Sequence, residues 1–328
     1  MSGERRRRRA RLAARGPLAF ALLALALLGC EAGPAPSTEP PPSPAFEYAS
    51  AERIVAIGDL HGDVSAARGV LRLAGVIDAA GAWTGGRTVV VQTGDQLDRG
   101  DDDREVLELL DRLAGAAAKS GGALVVLNGN HEVMNVQSDF RYVSPHGLAE
   151  YEEFNPGWLH AWSTPSEQRG RTFAFRPGGA VARQLARRPV VARVGDTLFV
   201  HGGVLPQHVS YGLARINREA SAWMWGAQKE IPEILTSKDA PIWTRLYSDG
   251  DPDAAACGTL AQALEGAAAK RMVVGHTIQE GGINSACDGR VWRIDVGLSK
   301  VYAEASETRP KPQVLEIQGQ EARVLVYR

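Results

Sequence analysis

Gly94-Asp95-Gln96-Leu97-Asp98-Arg99-Gly100 follows directly on the run Thr88-Val89-Val90-Val91-Gln92-Thr93. The run is β-branched and apolar at consecutive positions, the pattern of a strand buried on both faces. A strand that ends in Gly-Asp delivers a carboxylate to its carboxyl end, where α/β sheets build their sites. Asp98 and Arg99 then add a second carboxylate and a planar guanidinium suited to bidentate phosphate contact. One loop thus offers a metal ligand, an orienting acid and an anion clamp. Gly and Asp are also the commonest loop residues, so the loop takes its meaning from what flanks it.

Upstream, Arg53–Ile57 reads as a strand running into Gly58-Asp59-Leu60-His61-Gly62-Asp63. Asp59 and His61 are two apart, so in an extended segment they face the same side and can grip one ion. A carboxylate with an imidazole suits Mn, Fe or Zn better than Ca or Mg. Asp63 or Ser65 can cap the helix that follows. Downstream, a helix is expected from Asp102 to Lys119, then a strand over Ala123–Leu127 that ends in Asn128-Gly129-Asn130-His131-Glu132. The alternation gives a β-α-β-α-β unit with its three polar loops at one edge.

Residues 133–190 carry aromatic side chains but no further strand-loop-helix repeat, and read as an insertion that walls the pocket. Val190–Arg193 and Thr197–Val200 form a hairpin through Gly195-Asp196, and the second arm ends in His201-Gly202-Gly203. A helix over Ala214–Glu230 precedes Trp243-Thr244-Arg245. Met272–Val274 is a strand ending in Gly275-His276-Thr277. Val291–Asp295, Val314–Ile317 and Arg323–Tyr327 complete a second set of strands. The expected fold is α/β, two packed mixed β-sheets flanked by helices. His146, His160 and His208 fall outside the motifs and read as surface or capping residues. Glu132 reads as a supporting acid rather than a ligand.

The front of the chain is leader, not fold. Arg5–Arg9 with Arg11 and Arg15 precede an apolar run over Leu18–Leu28 that is short for a bilayer span. Leu27-Leu28-Gly29-Cys30 resembles a bacterial lipobox, which implies cleavage after residue 29 and lipid attachment to Cys30. Residues 30–50, rich in proline, form a tether, and residues 51–328 form one catalytic domain. Glu31 after the Cys favours the outer membrane, with the domain periplasmic or surface-exposed. The leader holds seven basic residues and one acidic, leaving 30 against 37 and a formal −7. An acidic domain lacks the footprint of a nucleic-acid binder. A monomer is expected, with lipid as its contact to the membrane. Cys257 and Cys287 either bridge, as an oxidising compartment permits, or are small core residues.

Gly58–Gly62, Gly94–Gly100 and Gly129–Glu132 together resemble the signature of the phosphoprotein phosphatase family of metallophosphoesterases. The wording of residues 129–143 is closer still to its Shewanella-like branch. The C-terminal Ser-Ala-Pro-Asn-Tyr-Cys of the eukaryotic branch is missing, so toxin and regulatory-subunit binding are not carried over. The resemblance implies two divalent metal ions. Asp59, His61 and Asp95 would hold one, and Asp95 would bridge to a second on Asn130, His201 and His276. It implies a phosphomonoesterase in which a metal-bridging hydroxide attacks directly. His131 would protonate the leaving oxygen, Asp98 would orient His131, and Arg99, Arg245 and Asn130 would hold the phosphate. The substrate is expected to be phosphoprotein, with a lean to phosphotyrosine, or a small phosphate ester. One alternative is a dinucleoside polyphosphate or other phosphoanhydride, which would draw on Arg141, Arg169, Arg171 and Arg176. Another is a lipoprotein that binds phosphorylated ligands without turnover.

Overall fold

The computed structural model describes residues 42–157, 164–303 and 311–327. The leader, Cys30, most of the tether, and Trp158, His160 and Trp162 lie outside the described residues. The described chain joins the fold earlier than the sequence indicates. The Pro42 carbonyl accepts a bond from Ser221 Oγ (2.7 Å), and strand β1 (Glu47–Tyr48) pairs in parallel with β5 (Val191–Val194). Residues read as tether therefore form the edge of a sheet.

The motif-bearing unit stands as expected. Strands β2 (Ile54–Ile57), β3 (Val89–Gln92) and β4 (Ala123–Val126) pair in parallel and in order, with Ile54 opposite Val89 and Val89 opposite Ala123. Helix α1 (Val64–Leu73) starts at Asp63, whose side chain accepts from Ala66 N. Helix α2 (Asp103–Lys119) buries Val106, Leu109, Leu110 and Leu113 on one stripe. Near-continuous Val and Ile in these strands follow from burial on both faces.

The six-stranded sheet runs β1-β5-β6-β7-β9-β8, with β6 (Thr197–Val200), β7 (Arg271–Val274), β8 (Asn284–Ala286) and β9 (Val291–Arg293). The five-stranded sheet runs β11-β10-β2-β3-β4. Strand β10 (Gln313–Gln318) lies antiparallel to β2, with Leu315 opposite Ala56, and β11 (Glu321–Val326) pairs with it. The C-terminal hairpin thus extends the first sheet, a correction to its expected place in the second set. The two sheets share one core, in which Val55, Val90 and Val125 cluster with Phe199, Val273 and Ile294.

The outer face of the six-stranded sheet is covered by helices. These include α5 (Arg169–Phe175), α6 (Ala180–Leu185), α7 (Pro206–Tyr211), α8 (Leu213–Trp225) and α9 (Ala254–Gly266), with Leu198, Val200, Met272 and Val274 beneath. Three other helices are short: α3 (Asn130–Val136), α4 (Pro145–Ala149) and α10 (Lys300–Ala303). Helix α8 stops well before Glu230 because Gly226 takes a left-handed φ of 84°, the usual glycine exit from a helix. Cys257 on α9 is bridged to Cys287 beyond β8, with Cα atoms 5.4 Å apart.

Candidate metal centre and acid–base pair

The site lies where the motif strands end. Nine described non-glycine residues have positive φ, and five of them are His61 (44°), Asp95 (56°), Asp98 (70°), Arg99 (70°) and His276 (67°). Such conformations cost on the order of 1–3 kcal/mol each and persist where the surroundings hold them. Their concentration here marks a built site. Gly129 lets the loops close, because a Cβ there would lie 2.2 Å from Asp95 Oδ1.

Four donor atoms converge at the first cluster. His201 Nε2 is 2.9 Å from Asn130 Oδ1, 3.0 Å from His276 Nδ1 and 3.2 Å from Asp95 Oδ2. The other nitrogen of His201, Nδ1, faces the Thr93 carbonyl at 3.0 Å and donates to it. With Nδ1 on that carbonyl, Nε2 faces two oxygens and a nitrogen. A mixed N/O set of this kind suits a transition-metal cation. Burial, then His201 and Arg245, push His276 down to about 2, so it stays in the neutral form a ligand needs.

The second cluster shares Asp95. His61 Nε2 lies 3.8 Å from Asp95 Oδ2 and 4.0 Å from Asp59 Oδ2, while its Nδ1 is fixed on the Leu97 carbonyl at 3.0 Å. Burial, then the His131 charge, push His61 down to about 3. Burial, then Asp295 and Asp95, push Asp59 well above the carboxylate range. Burial acts on Asp95 in the same sense, but His201 and His131 outweigh it and hold Asp95 well below that range. Asp59, a buried acid raised by two neighbouring carboxylates, is a group that a cation would stabilise. Both donor sets therefore fit metal ions, and Asp95 Oδ2 faces each. Ligand-type atoms of His131 also fall within 4.8 Å of those of His61 and Asp95.

His131 Nδ1 meets Asp98 Oδ2 at 2.6 Å. Burial pulls this imidazole down, yet Asp95 and the Asp98 hydrogen bond outweigh it, so His131 sits above its ordinary value. A buried histidine raised in this way and held at Nδ1 by a carboxylate is placed to act as a proton donor through Nε2. Glu132, as expected, is a supporting acid. Its carboxylate accepts from Gly129 N (2.7 Å), Asp95 N (2.9 Å), Gln96 N (2.9 Å) and Leu97 N (3.3 Å), tying two motif loops together.

The cavity over these groups measures about 250 Å³, and its walls include Arg99, Tyr142, Trp243, Arg245, Asp295 and Tyr302. The Arg99 guanidinium lies between the rings of Tyr142 (4.7 Å) and Tyr302 (5.4 Å). Its Nε is buried without a hydrogen-bond partner among the described residues. Arg245 is exposed and donates from Nη1 to the His276 carbonyl and Thr277 Oγ1, both at 2.8 Å.

Of the described insertion, Tyr142 is the residue that lines the cavity, while Tyr151 and Phe175 pack on each other behind it (5.0 Å). Among the described residues the insertion thus gives one ring to the cavity wall, and these other rings to packing. None of the four arginines kept for a phosphoanhydride lines the cavity. Arg141 pairs with Asp139, Arg169 donates to the Thr164 carbonyl, Arg176 stacks on Phe173 and Arg171 is fully buried. Asp295 was missed, although it follows β9 as Asp59 and Asp95 follow their strands. Tyr302 carries no local signal.

Comparison with known proteins agrees with this geometry. A family model described as calcineurin-like phosphoesterase matches residues 52–280. Shewanella-like protein phosphatase 2 of Arabidopsis thaliana is 39% identical over 298 residues, covering 81% of this chain and 75% of that one. Shewanella-like protein phosphatase 1 of Plasmodium berghei is 29% identical over 272 residues, covering 81% and 71%. Among solved structures, the cold-active protein-tyrosine phosphatase of a psychrophilic Shewanella superposes with a TM-score of 0.66 at 23% identity, covering 87% of this chain and 83% of that one. A protein serine/threonine phosphatase from Saccharomyces cerevisiae gives 0.54 at 14%, covering 88% and 85%. At these identities the structures speak for the fold.

Proposed function

The chain belongs to the calcineurin-like phosphoesterase family and is a metal-dependent phosphatase, and we propose that it hydrolyses phosphorylated protein or small phosphate monoesters by direct attack of water. The observation that carries this reading is Asp95 Oδ2, which faces His61 on one side and His201 on the other (3.8 and 3.2 Å). Asp59, His61 and Asp95 would hold one ion; Asp95, Asn130, His201 and His276 would hold the other. The chemistry two such ions supply when bound is an acidified water and charge neutralisation at the phosphoryl oxygens.

The chain's own residues do the rest. Arg99 offers a guanidinium pre-oriented by two tyrosine rings, with an unused N–H for a phosphate oxygen. Arg245 stands across the cavity as a second clamp. His131 gives its proton to the departing oxygen, and Asp98 holds the ring at Nδ1 so that Nε2 is the donating atom. Little covalent chemistry is asked of the protein, since phosphoryl transfer needs mainly positioning and charge neutralisation.

Tyr142, Trp243 and Tyr302 on the cavity wall support an aryl phosphate, phosphotyrosine above all, as the preferred substrate. The Cys257–Cys287 bridge supports a periplasmic or surface location, with the domain held through lipid on Cys30. The test is hydrolysis of matched phosphotyrosine and phosphoserine peptides by the metal-loaded protein, with metal content measured on the same sample. Tenfold or greater preference for phosphoserine ends the tyrosine reading, and one ion per chain ends the two-ion reading. Release of Cys30→Ser into the soluble fraction is expected. Retention of that variant in the membrane fraction ends the lipid reading.

A further inference from the structure

Behind the acid–base pair lies an arginine that no motif marks. Arg171 on α5 has no exposed side-chain surface. Nη2 reaches Asp98 Oδ1 (3.1 Å) and Asp103 Oδ2 (2.6 Å), Nε donates to Asn135 Oδ1 (2.7 Å), and Nη1 donates to the Gly147 carbonyl (2.8 Å). Phe175 and Tyr151 lie against the guanidinium at 4.7 and 5.1 Å. Arginine is seldom fully buried without a partner that justifies the desolvation.

The partner arrangement is directional. Asn135 Nδ2 donates to Asp98 Oδ1 (2.8 Å) and to the His131 carbonyl (2.9 Å). Asp103 Oδ1 accepts from Asp98 N (2.8 Å). Asp98 Oδ1 is thus held by Arg171 and Asn135 together, which turns Oδ2 to His131 Nδ1. An ammonium would supply charge but not this fork, whose planar donors fix direction.

We infer that Arg171 is a positioning residue for leaving-group protonation: with Asn135 it locks the Asp98 carboxylate, and through Asp98 it aims the His131 ring into the cavity. Charge neutralisation of Asp98 and Asp103 alone would need only a cation nearby. The inference rests on His131 being the proton donor, and its test separates the two claims.

The experiment uses full-length, metal-loaded Arg171→Gln, Arg171→Lys, His131→Ala and the Arg171→Gln/His131→Ala double variant. For each, kcat and KM are measured on phosphate esters of graded leaving-group pKa, alongside metal content. Supporting residues behind catalytic groups are worth about 10–100-fold. Arg171→Gln is expected to lose about that factor in kcat on alkyl phosphates, little on p-nitrophenyl phosphate, and to keep KM and metals. In the His131→Ala background the same change should cost less than about twofold, because it acts through a ring no longer present. Arg171→Lys, which keeps the charge and guards against misfolding, should show the same graded loss. Equal losses on every ester, full additivity with His131→Ala, or unaltered Arg171→Lys kinetics overturns the inference. If His131→Ala itself loses one factor on all esters, the proton-donor reading falls and takes this inference with it.

Discussion

His201 Nε2 and His276 Nδ1 lie 3.0 Å apart although 75 positions separate them in the chain. Strands β6 and β7 are parallel neighbours, so the loops that follow them are forced together, and the two rings meet over Asn130 and Asp95. His201→Ala removes one of four donors from this cluster while the His61 set stays. The expected result is a fall from two ions per chain to one, measured by elemental analysis. The gain in stability on metal addition, which follows RT ln(1 + [L]/Kd), should shrink in the same variant.

His131→Ala is expected to lower kcat by about 10²–10⁴, with the loss growing as the leaving group becomes a stronger base. Asp98→Asn should behave as a milder copy, since it weakens the hold on Nδ1 and leaves the ring in place. Metal content should remain near wild type in both. The measurement is the slope of log kcat against leaving-group pKa, which should steepen in each variant.

Arg99→Ala should act mainly on binding. Hydrogen bonds to charged groups contribute about 1.5–3 kcal/mol, so KM for phosphate esters should rise by roughly one to two orders of magnitude. Inhibition by inorganic phosphate should weaken in parallel. Unchanged phosphate inhibition would remove Arg99 from the phosphate site.

Tyr142 is an exposed aromatic residue against the cavity. Its replacement by Ala removes one ring from the Arg99 stack and from the wall an aryl substrate would touch. The phosphotyrosine-to-phosphoserine ratio of kcat/KM should fall by about two- to tenfold, in line with the roughly 0.5–1.5 kcal/mol of an aromatic pair. A ratio that stays constant would mean that Tyr142 carries no substrate choice.

His208 gives a prediction in pH. It is buried, accepts from Leu205 N through Nδ1 (3.1 Å), and burial pushes it from 6.5 down to about 4. Between those values the unfolded chain binds more protons, so stability is full above 6.5 and is lost as pH falls towards 4. His208→Gln should flatten that limb in chelator-treated protein, followed by denaturant midpoint against pH. An unchanged limb would place the acid sensitivity elsewhere.

The sequence reads best where chemistry and local pattern coincide. Asp59, Asp95 and Asn130 each follow an apolar β-branched run, so their strands and their shared edge were visible together. Asp295 obeys the same rule after β9, but no neighbouring ligand type marks it in the sequence. Strand β1 is two residues long and abuts a proline-rich stretch, and β8 is polar, so neither has a period to detect. The sheet that receives β10 is decided by contacts with Ala56 and Val55, which no window of sequence contains. In sequence Arg171 is one cation among several, since burial is invisible to residue type.

The pairing of β10 with β2 also sets an order of events. Arg53 and Glu316, joined by a 2.6 Å ion pair across those strands, are 263 residues apart. Strand β2 carries Asp59 and His61 at its end, yet its antiparallel neighbour is made long after it. A nascent chain lacking those segments holds β2 as an open edge. Contacts this distant in sequence slow folding and keep unpaired edges exposed meanwhile. The first sheet therefore closes on β2 only once β10 has been made, and a chain truncated before Gln313 should yield an aggregating, metal-poor product rather than a shortened enzyme.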